Sequence, residues 1–272
     1  MPELPEVQTV VNNLSESLIG KSILSVNSPN KYKRVFHQTS VTDYNRFLLN
    51  NRIEKITRRG KYIVFALKRG FLCVHLRMTG KLLINLENKD HIKYVSAQFD
   101  FTDGSQLFFK DVRKFGRIYF SNNLDWLEFK LGIEPLTEKF NSNYLYNHLQ
   151  RKNRMIKPLL MDQSFIAGLG NIYVDEALWY AGIHPSSISS HICKKRAERL
   201  CFAIQDILSD AIQKKGTTFQ NFSFGENETG NFKGELRIFG RTNKSCLNCG
   251  NPIQKIKVAQ RGTHICKKCQ PY

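Results

Sequence analysis

The sequence lacks an apolar run of about 18 residues, and its first thirty residues lack a basic start followed by an apolar block. A membrane-spanning helix needs about 20 apolar residues, and a secretory signal needs that charged start and apolar centre. Repeats and low-complexity tracts are absent as well. We therefore expect a globular protein with no membrane association, in a bacterial-type cytoplasm.

Acidic residues are scarce. The 272 residues include 23 Asp and Glu against 41 Lys and Arg, a formal net charge of +18. A chain this basic is expected to bind polyanions, nucleic acid first and anionic membrane surface second. The charge identifies a class of partner and no reaction, since a ribosomal protein and a nuclease would fit it equally well.

Cysteine is scarce in the first 245 residues, which hold three of the seven, whereas the other four lie in the last 27 residues. Cys246 and Cys249, then Cys266 and Cys269, form two Cys-x-x-Cys pairs separated by sixteen residues, which is a zinc-site spacing. Disulfides are the alternative, but nothing indicates an oxidising compartment. Because four thiolates leave no open coordination position, the pattern predicts one structural Zn²⁺.

The cysteine-rich tail is strongly basic. Residues 233–272 contain nine Lys and Arg and a single acid, Glu235. A rigid basic hairpin of this kind suits phosphate contacts. We predict that Arg261 and Gly262, between the two cysteine pairs, form the turn of the hairpin and project one guanidinium.

The hydrophobic period changes twice along the chain. Residues 7–18 have helical spacing with Gly20 after them, residues 21–120 read as short β-strands, and helical spacing returns beyond about residue 125. The strand region predicts an antiparallel sandwich or barrel. We therefore divide the chain into a β domain (1–128), a helical domain (129–232) and a tail domain (233–272).

The opening residues MPELPEV pose a separate question. An ordinary N-terminus is a solvated strip without chemical assignment. Proline in second position normally permits removal of Met1, and Pro2 then becomes a secondary amine beside the carboxylates of Glu3 and Glu6. Such an amine would be a nucleophile with proton-handling groups next to it.

Several motifs occur together, in order, from Pro2 to about Cys269: PELPEV, RRGKY, HLRMTG, DVRKFGR, GLGNIYVDEAL and AQRGTHIC. This series resembles the formamidopyrimidine-DNA glycosylase family, bifunctional enzymes of base-excision repair. The resemblance implies a multidomain α+β fold with an N-terminal antiparallel β-sandwich and flanking helices. It also implies a helical domain with a helix–two-turn–helix motif and a C-terminal β-hairpin zinc finger.

The resemblance also implies catalytic roles. Pro2 would attack C1′ of the damaged nucleoside and form a Schiff base, and Glu3 would move protons at the sugar. Lys61 and Arg261 would act at the phosphates during strand cleavage by β,δ-elimination. The remaining implied positions bind or distort DNA: Glu6, Met78, His91, Arg113, Phe115, Lys157 and Asn171.

Among these, Met78, Arg113 and Phe115 would fill the space left by a flipped nucleotide. Taken singly, Met78 and Phe115 are more typical of a core. The implied partner is double-stranded DNA with oxidised or abasic sites, bound by a monomer with no obligate protein partner. The segment 217–234 matches the part of the family that closes over an oxidised purine, but Asn231 and Phe239 stand where relatives often have tyrosine.

Three other readings stay open. An endonuclease VIII-like enzyme for oxidised pyrimidines is disfavoured by Leu4 and by HLRMTG. A non-catalytic zinc-finger protein that binds damaged DNA fits the charge and the tail, but it has no use for Pro2, Glu3 and Lys61. An RNA-binding or ribosomal zinc-ribbon protein explains the tail and leaves the first 240 residues unexplained.

Overall fold

A computed structural model describes residues 1–37, 40–84, 86, 89–217 and 230–272, without the side chains of 89–91. The α-helices in this part of the chain are α1 (Leu4–Leu18), α2 (Val41–Leu48), α3 (Asp125–Lys130), α4 (Ser142–Gln150), α5 (Ile156–Met161), α6 (Asn171–Ala181) and α7 (Lys194–Gln213). The strands are β1 (Ser22–Asn27), β2 (Asn51–Arg59), β3 (Tyr62–Leu67), β4 (Phe71–His75), β5 (Gly80–Leu83), β6 (Val95–Phe101), β7 (Gln106–Asp111), β8 (Arg117–Ser121), β9 (Gln254–Val258) and β10 (Arg261–Ile265). None of the described helices is both long and apolar enough to cross a membrane.

The chain divides into two compact units. The first unit comprises Met1–Leu127 and Lys215–Asn231, and the second comprises Glu128–Lys214 and Phe232–Tyr272. Each unit has its own secondary structure.

The first unit is built on eight antiparallel strands in the order β5-β7-β6-β1-β2-β3-β4-β8. The β1–β2 pairing spans only two residue pairs, Ser22 with Arg52 and Ile23 with Asn51. The ladder is therefore narrow at its centre, with four strands on each side. Side chains from both halves join one hydrophobic core, including Phe99 and Phe109 from one half and Phe65 from the other. The predicted antiparallel β-sandwich is confirmed.

Helix α1 covers this core with one apolar face. Its valines and leucines at helical spacing, from Val7 to Leu18, are at most 5% exposed, and the helix packs on β2 and β3. The helix ends at Leu18, and Gly20 follows with a φ of 89°, a left-handed conformation that glycine adopts readily. Helix α1 thus ends where the sequence predicts.

The second unit begins with helices. The predicted helical segments correspond to α4, α6 and α7, and α6 ends at Gly182 with a φ of 67°. Helices α6 and α7 pack on each other. A 3₁₀-helix, Phe232–Glu235, leads to the cysteine-rich tail, where β9 and β10 form the predicted antiparallel hairpin.

The turn of this hairpin differs from the prediction. Val258 pairs with Arg261, so the two turn residues are Ala259 and Gln260, with φ values of 44° and 65°. Two successive positive φ values define the tight hairpin turn that matches strand twist, and this turn usually contains glycine or asparagine. Arg261 is therefore the first residue of β10, and Gly262 lies within that strand.

Candidate functional site

The N-terminus is buried and held by reciprocal hydrogen bonds. Pro2 is buried, Glu3 is 3% exposed, and Glu6 is 2% exposed. Glu3 is the N-cap of α1: its carboxylate accepts from the Glu6 N–H, and Glu6 Oε2 accepts from the Glu3 N–H at 2.9 Å. This capping box satisfies two backbone donors at the helix start. The terminus is therefore an ordered part of the first unit, unlike a frayed chain end.

The second oxygen of Glu6 holds a remote segment. Oε1 of Glu6 accepts from the Thr217 N–H at 2.8 Å and from its hydroxyl at 3.0 Å. Thr217 also pairs with Asn231 in an isolated antiparallel bridge. The buried Glu6 carboxylate thus binds the N-terminal turn to Thr217 directly and to Asn231 through the Thr217–Asn231 bridge. The interior of that segment, 218–229, lies outside the described residues.

Gly216 allows the close approach of that segment. Its φ is 75°, and a Cβ at this position would lie 2.7 Å from Glu6 Oε1. Gly230 is equally constrained, because a Cβ there would lie 2.3 Å from the Gly216 carbonyl oxygen. A side chain at position 216 would therefore collide with Glu6, and a side chain at position 230 would collide with the backbone of Gly216.

Lys61 belongs to the first unit as well. It follows Gly60 in the two-residue turn between β2 and β3, where Arg59 pairs with Tyr62. The residue is 4% exposed. A lysine that a strand merely presents to solvent would not be buried to this degree, because removing an ammonium group from water is costly.

The structure brings Met78, Arg113 and Phe115 together at the surface. The Arg113 guanidinium lies 4.8 Å from the centre of the Phe115 ring, and Arg113 Nη1 lies 3.1 Å from Met78 Sδ. Met78 is 41% exposed and Phe115 is 48% exposed. They are therefore not core residues, which was the alternative for each taken singly.

Asp111 orders the two loops that carry these side chains, and the sequence reasoning missed it. Its side chain is 1% exposed. It accepts from the Thr79 hydroxyl at 2.5 Å and from the Gly116 N–H at 2.7 Å. The Arg113 N–H lies 3.2 Å from the same carboxylate. The acid in the motif DVRKFGR was the available signal, since a carboxylate ending an apolar strand is well placed to cap the following loop.

In the second unit, Lys157 is buried, with 1% exposure. Its Nζ lies 2.6 Å from Asp175 Oδ1, 2.8 Å from the Thr263 hydroxyl and 3.3 Å from the Gly262 carbonyl. This placement differs from the predicted phosphate contact. An ammonium with three internal partners holds α5 to α6 and the β9–β10 hairpin and offers no donor to a DNA backbone.

Asn171 binds the carbonyl group of the residue that follows Arg261. Asn171 begins α6 after Gly170, and its Nδ2 donates to the Gly262 carbonyl at 3.1 Å. Arg261, the neighbour of Gly262, is exposed. The first turn of α6 has backbone N–H groups without helical partners, a geometry that suits anions. The helix start and the arginine therefore occupy one edge of the second unit.

Glu176 is a further residue that the sequence reasoning missed. Burial raises the pKa of its carboxyl group, although the N–H groups of Arg237, Ile238 and Phe239 donate to it at 2.8–3.0 Å. Phe239 also packs its ring against His264. The carboxyl group of Glu176 thus fixes the chain just before the cysteine cluster.

The four cysteines of the tail converge. The Sγ atoms of Cys246, Cys249, Cys266 and Cys269 lie within 4.8 Å of one another, with Cys246 to Cys269 at 3.7 Å and Cys249 to Cys266 at 3.4 Å. Four sulfurs about 2.3 Å from a tetrahedral zinc would be about 3.8 Å apart. The cluster therefore fits the predicted structural Zn²⁺, with a closed set of ligands.

His91 has its backbone in the 3₁₀-helix Lys89–Tyr94, but its side chain lies outside the described residues. Its predicted DNA contact stays a prediction.

Three family models match the chain in order. They are described as the formamidopyrimidine-DNA glycosylase N-terminal domain (residues 1–118), the formamidopyrimidine-DNA glycosylase H2TH domain (131–223) and the zinc finger found in FPG and IleRS (244–271). Together they cover most of the sequence.

Full-length relatives agree with these matches. The formamidopyrimidine-DNA glycosylase of Pelotomaculum thermopropionicum is 39% identical, over 99% of both chains. MutM in complex with DNA containing carbocyclic 8-oxo-G superimposes with a TM-score of 0.89 at 36% identity, over 100% of both chains. Lactococcus lactis Fpg in complex with DNA containing an abasic site has a TM-score of 0.89 at 35% identity, over 99% of this chain and 100% of the other.

Substitution Glu6→Gln tests the link between the terminus and Thr217. The amide keeps one acceptor oxygen, so either the Glu3 N–H or the Thr217 donors lose their partner in a buried site. We expect the free energy of unfolding to fall by about 1–3 kcal/mol, measured by urea denaturation. Glu16→Gln, on the exposed side of α1, is the control and should change little. Equal midpoints for the two variants would contradict the link.

Removal of zinc tests the cysteine cluster. We expect one zinc per chain by elemental analysis, and a Cys249→Ser variant should lose the ion and unfold its tail at a lower temperature, because the metal supplies folding energy. The control is Cys193→Ser, an exposed cysteine outside the cluster. A Cys249→Ser protein that melts like the control would exclude a structural role for the metal.

Proposed function

This chain belongs to the formamidopyrimidine-DNA glycosylase family, and from that membership we propose that Pro2 is the nucleophile with which it removes oxidised purines from DNA. The single observation that carries the proposal is the ordered, buried N-terminal turn, in which Pro2 is followed by the carboxylates of Glu3 and Glu6. A DNA-binding protein without catalysis would have no reason to bury and cap its N-terminus in this way.

The proposed reaction begins when Met1 has been removed. An α-amino group titrates near 8, well below a lysine, so about a tenth of the Pro2 nitrogen has its lone pair available at pH 7. Attack on C1′ breaks the N-glycosyl bond, the base leaves with a proton, and the ring opens to an iminium. Glu3 is the proposed proton carrier at the sugar oxygen and C2′.

The iminium then drives strand cleavage. As an electron sink it makes the C2′ proton acidic, and the 3′ and then the 5′ phosphate leave by successive eliminations. We assign Lys61 and Arg261 to the phosphates in these steps. The two side chains lie in different environments. Lys61 is buried in the first unit, and Arg261 is exposed in the second.

The base must leave the duplex before Pro2 can reach C1′. Met78, Arg113 and Phe115 form the proposed wedge. Their contact and exposure support this assignment, since a pliable thioether, a guanidinium and a ring at one surface point can occupy a vacated base position. The Asp111 carboxylate holds both supporting loops, so the wedge is ordered before DNA binds.

The remaining assignments concern DNA binding and organisation. Asn171 is proposed to bind a phosphate at the start of α6, whereas Lys157 supports that site from inside the unit. Glu6 positions the terminus, and His91 is retained as a DNA contact on family grounds. We propose a monomer that acts on double-stranded DNA in the cytoplasm, with domains 1–128, 129–232 and 233–272.

The test is covalent trapping. Protein shown to begin at Pro2 is mixed with borohydride and a duplex carrying 8-oxoguanine opposite cytosine, with the undamaged duplex as control. We expect a stable adduct that mass spectrometry maps to Pro2. An adduct formed only with an abasic duplex would retain the lyase step and contradict the base preference. If neither the 8-oxoguanine duplex nor the abasic duplex gave an adduct, the proposed nucleophile would be excluded.

A further inference from the structure

The second unit contains a cavity that none of the proposed catalytic or DNA-binding residues line. Its volume is about 470 Å³. Its walls are the C-terminal half of α6 with Trp179 and Tyr180, the middle of α7 with Asp206 and Asp210, the 3₁₀-helix Phe232–Glu235, and the residues between the first two cysteines. Cavities of this size take a small molecule or one or two side chains.

The charge of the cavity is opposite to that of the chain. Four acids, Glu176, Asp206, Asp210 and Glu235, line it with one base, Arg237, whereas the whole chain has 41 basic and 23 acidic residues. A negative surface repels phosphates. DNA is therefore not its occupant, and a cationic group is the complementary one.

The four acids differ in which groups already bind and stabilise their carboxylates. Lys214 makes ion pairs of 3.1 Å with both Asp210 and Glu235, and Glu176 accepts three backbone N–H groups. Asp206 is exposed and has no ion pair among the described residues. It is the acid that can accept an additional cation.

Large apolar side chains are exposed in and next to the cavity: Tyr180 and Leu247 line it, and Phe202 lies next to Tyr180. Tyr180 is 51% exposed, Leu247 is 55% exposed, and Phe202 is 56% exposed. The rings of Tyr180 and Phe202 are 6.1 Å apart. Phe202 precedes Asp206 by four residues on α7, so the two lie on the same helix face. An aromatic ring next to a carboxylate attracts a guanidinium or ammonium group through both its face and the charge.

We propose that this cavity binds a segment of a partner protein in which an arginine or lysine neighbours an apolar side chain. The basic group enters beside Asp206, and the apolar side chain covers Phe202 and Leu247. Aromatic side chains are enriched in protein interfaces, and tyrosine is among the residues that contribute most of the binding energy there. Leu247 and Asn248 lie between Cys246 and Cys249, so the zinc cluster fixes one wall of the cavity.

A random heptapeptide library displayed on phage tests the chemistry of the occupant. The zinc-loaded protein is first saturated with duplex DNA, which covers its basic surface. We expect the selected peptides to carry Arg or Lys next to a leucine or an aromatic residue. Binding of the pool should weaken by about tenfold for Asp206→Lys and be kept by Glu138→Lys, an exposed acid of the same unit outside the cavity.

A second pair of variants tests the apolar rim. Phe202→Ala should also weaken binding of the selected pool, whereas Phe129→Ala, which removes a ring that is 97% exposed elsewhere in the unit, should not. Excision of the damaged base should be the same in all four variants, which separates this proposal from the catalytic one. Failure to enrich basic peptides, or a pool that binds Asp206→Lys as well as the original protein, would overturn the proposal.

Discussion

The structure depends on four buried carboxyl side chains that accept backbone N–H groups from loops and from one strand of the tail hairpin. Glu6, Asp111, Asp175 and Glu176 are at most 3% exposed. They accept, respectively, from Thr217, from Gly116, from His264 and from the turn before the zinc cluster. A buried carboxylate is tolerated only when such donors surround it. Each of these segments is therefore held where its acid can be satisfied, and three of the segments adjoin residues proposed to act on DNA.

This use of acids explains how so basic a chain orders its surface. Lys and Arg outnumber Asp and Glu by 41 to 23, and mutual repulsion of the basic groups opposes a compact state. Acids placed inside give the basic loops fixed anchors, while the basic side chains themselves stay exposed to phosphates. Arg113 and Arg261 are examples, since each is exposed next to a segment held by a buried acid. The acidic cavity beside α7 is the exception, because Asp206 there faces solvent.

The sequence was informative where local chemistry decides the structure. Helical spacing and a following glycine predict α6 and α7, and the two cysteine pairs predict the zinc site; the family, the fold class and the metal are confirmed. Strand β2, NRIEKITRR, was not singled out because its charged residues hide a burial pattern that only Ile53 and Ile56 reveal. The roles of Asp111 and Glu176 were also missed, since burial and remote N–H partners are properties of the tertiary fold. The site roles stay predictions.

Amide hydrogen exchange measured by NMR tests the central claim about the buried carboxyl groups most directly. The N–H groups of Thr217, Gly116, His264 and Ile238 belong to loops or to a short hairpin, where exchange is usually fast. If the buried acids hold these segments, the four amides should exchange as slowly as those in strand β3, which is paired on both sides. Exchange at the rate of exposed loop amides would show that the carboxyl groups do not order the loops, and the account would be wrong.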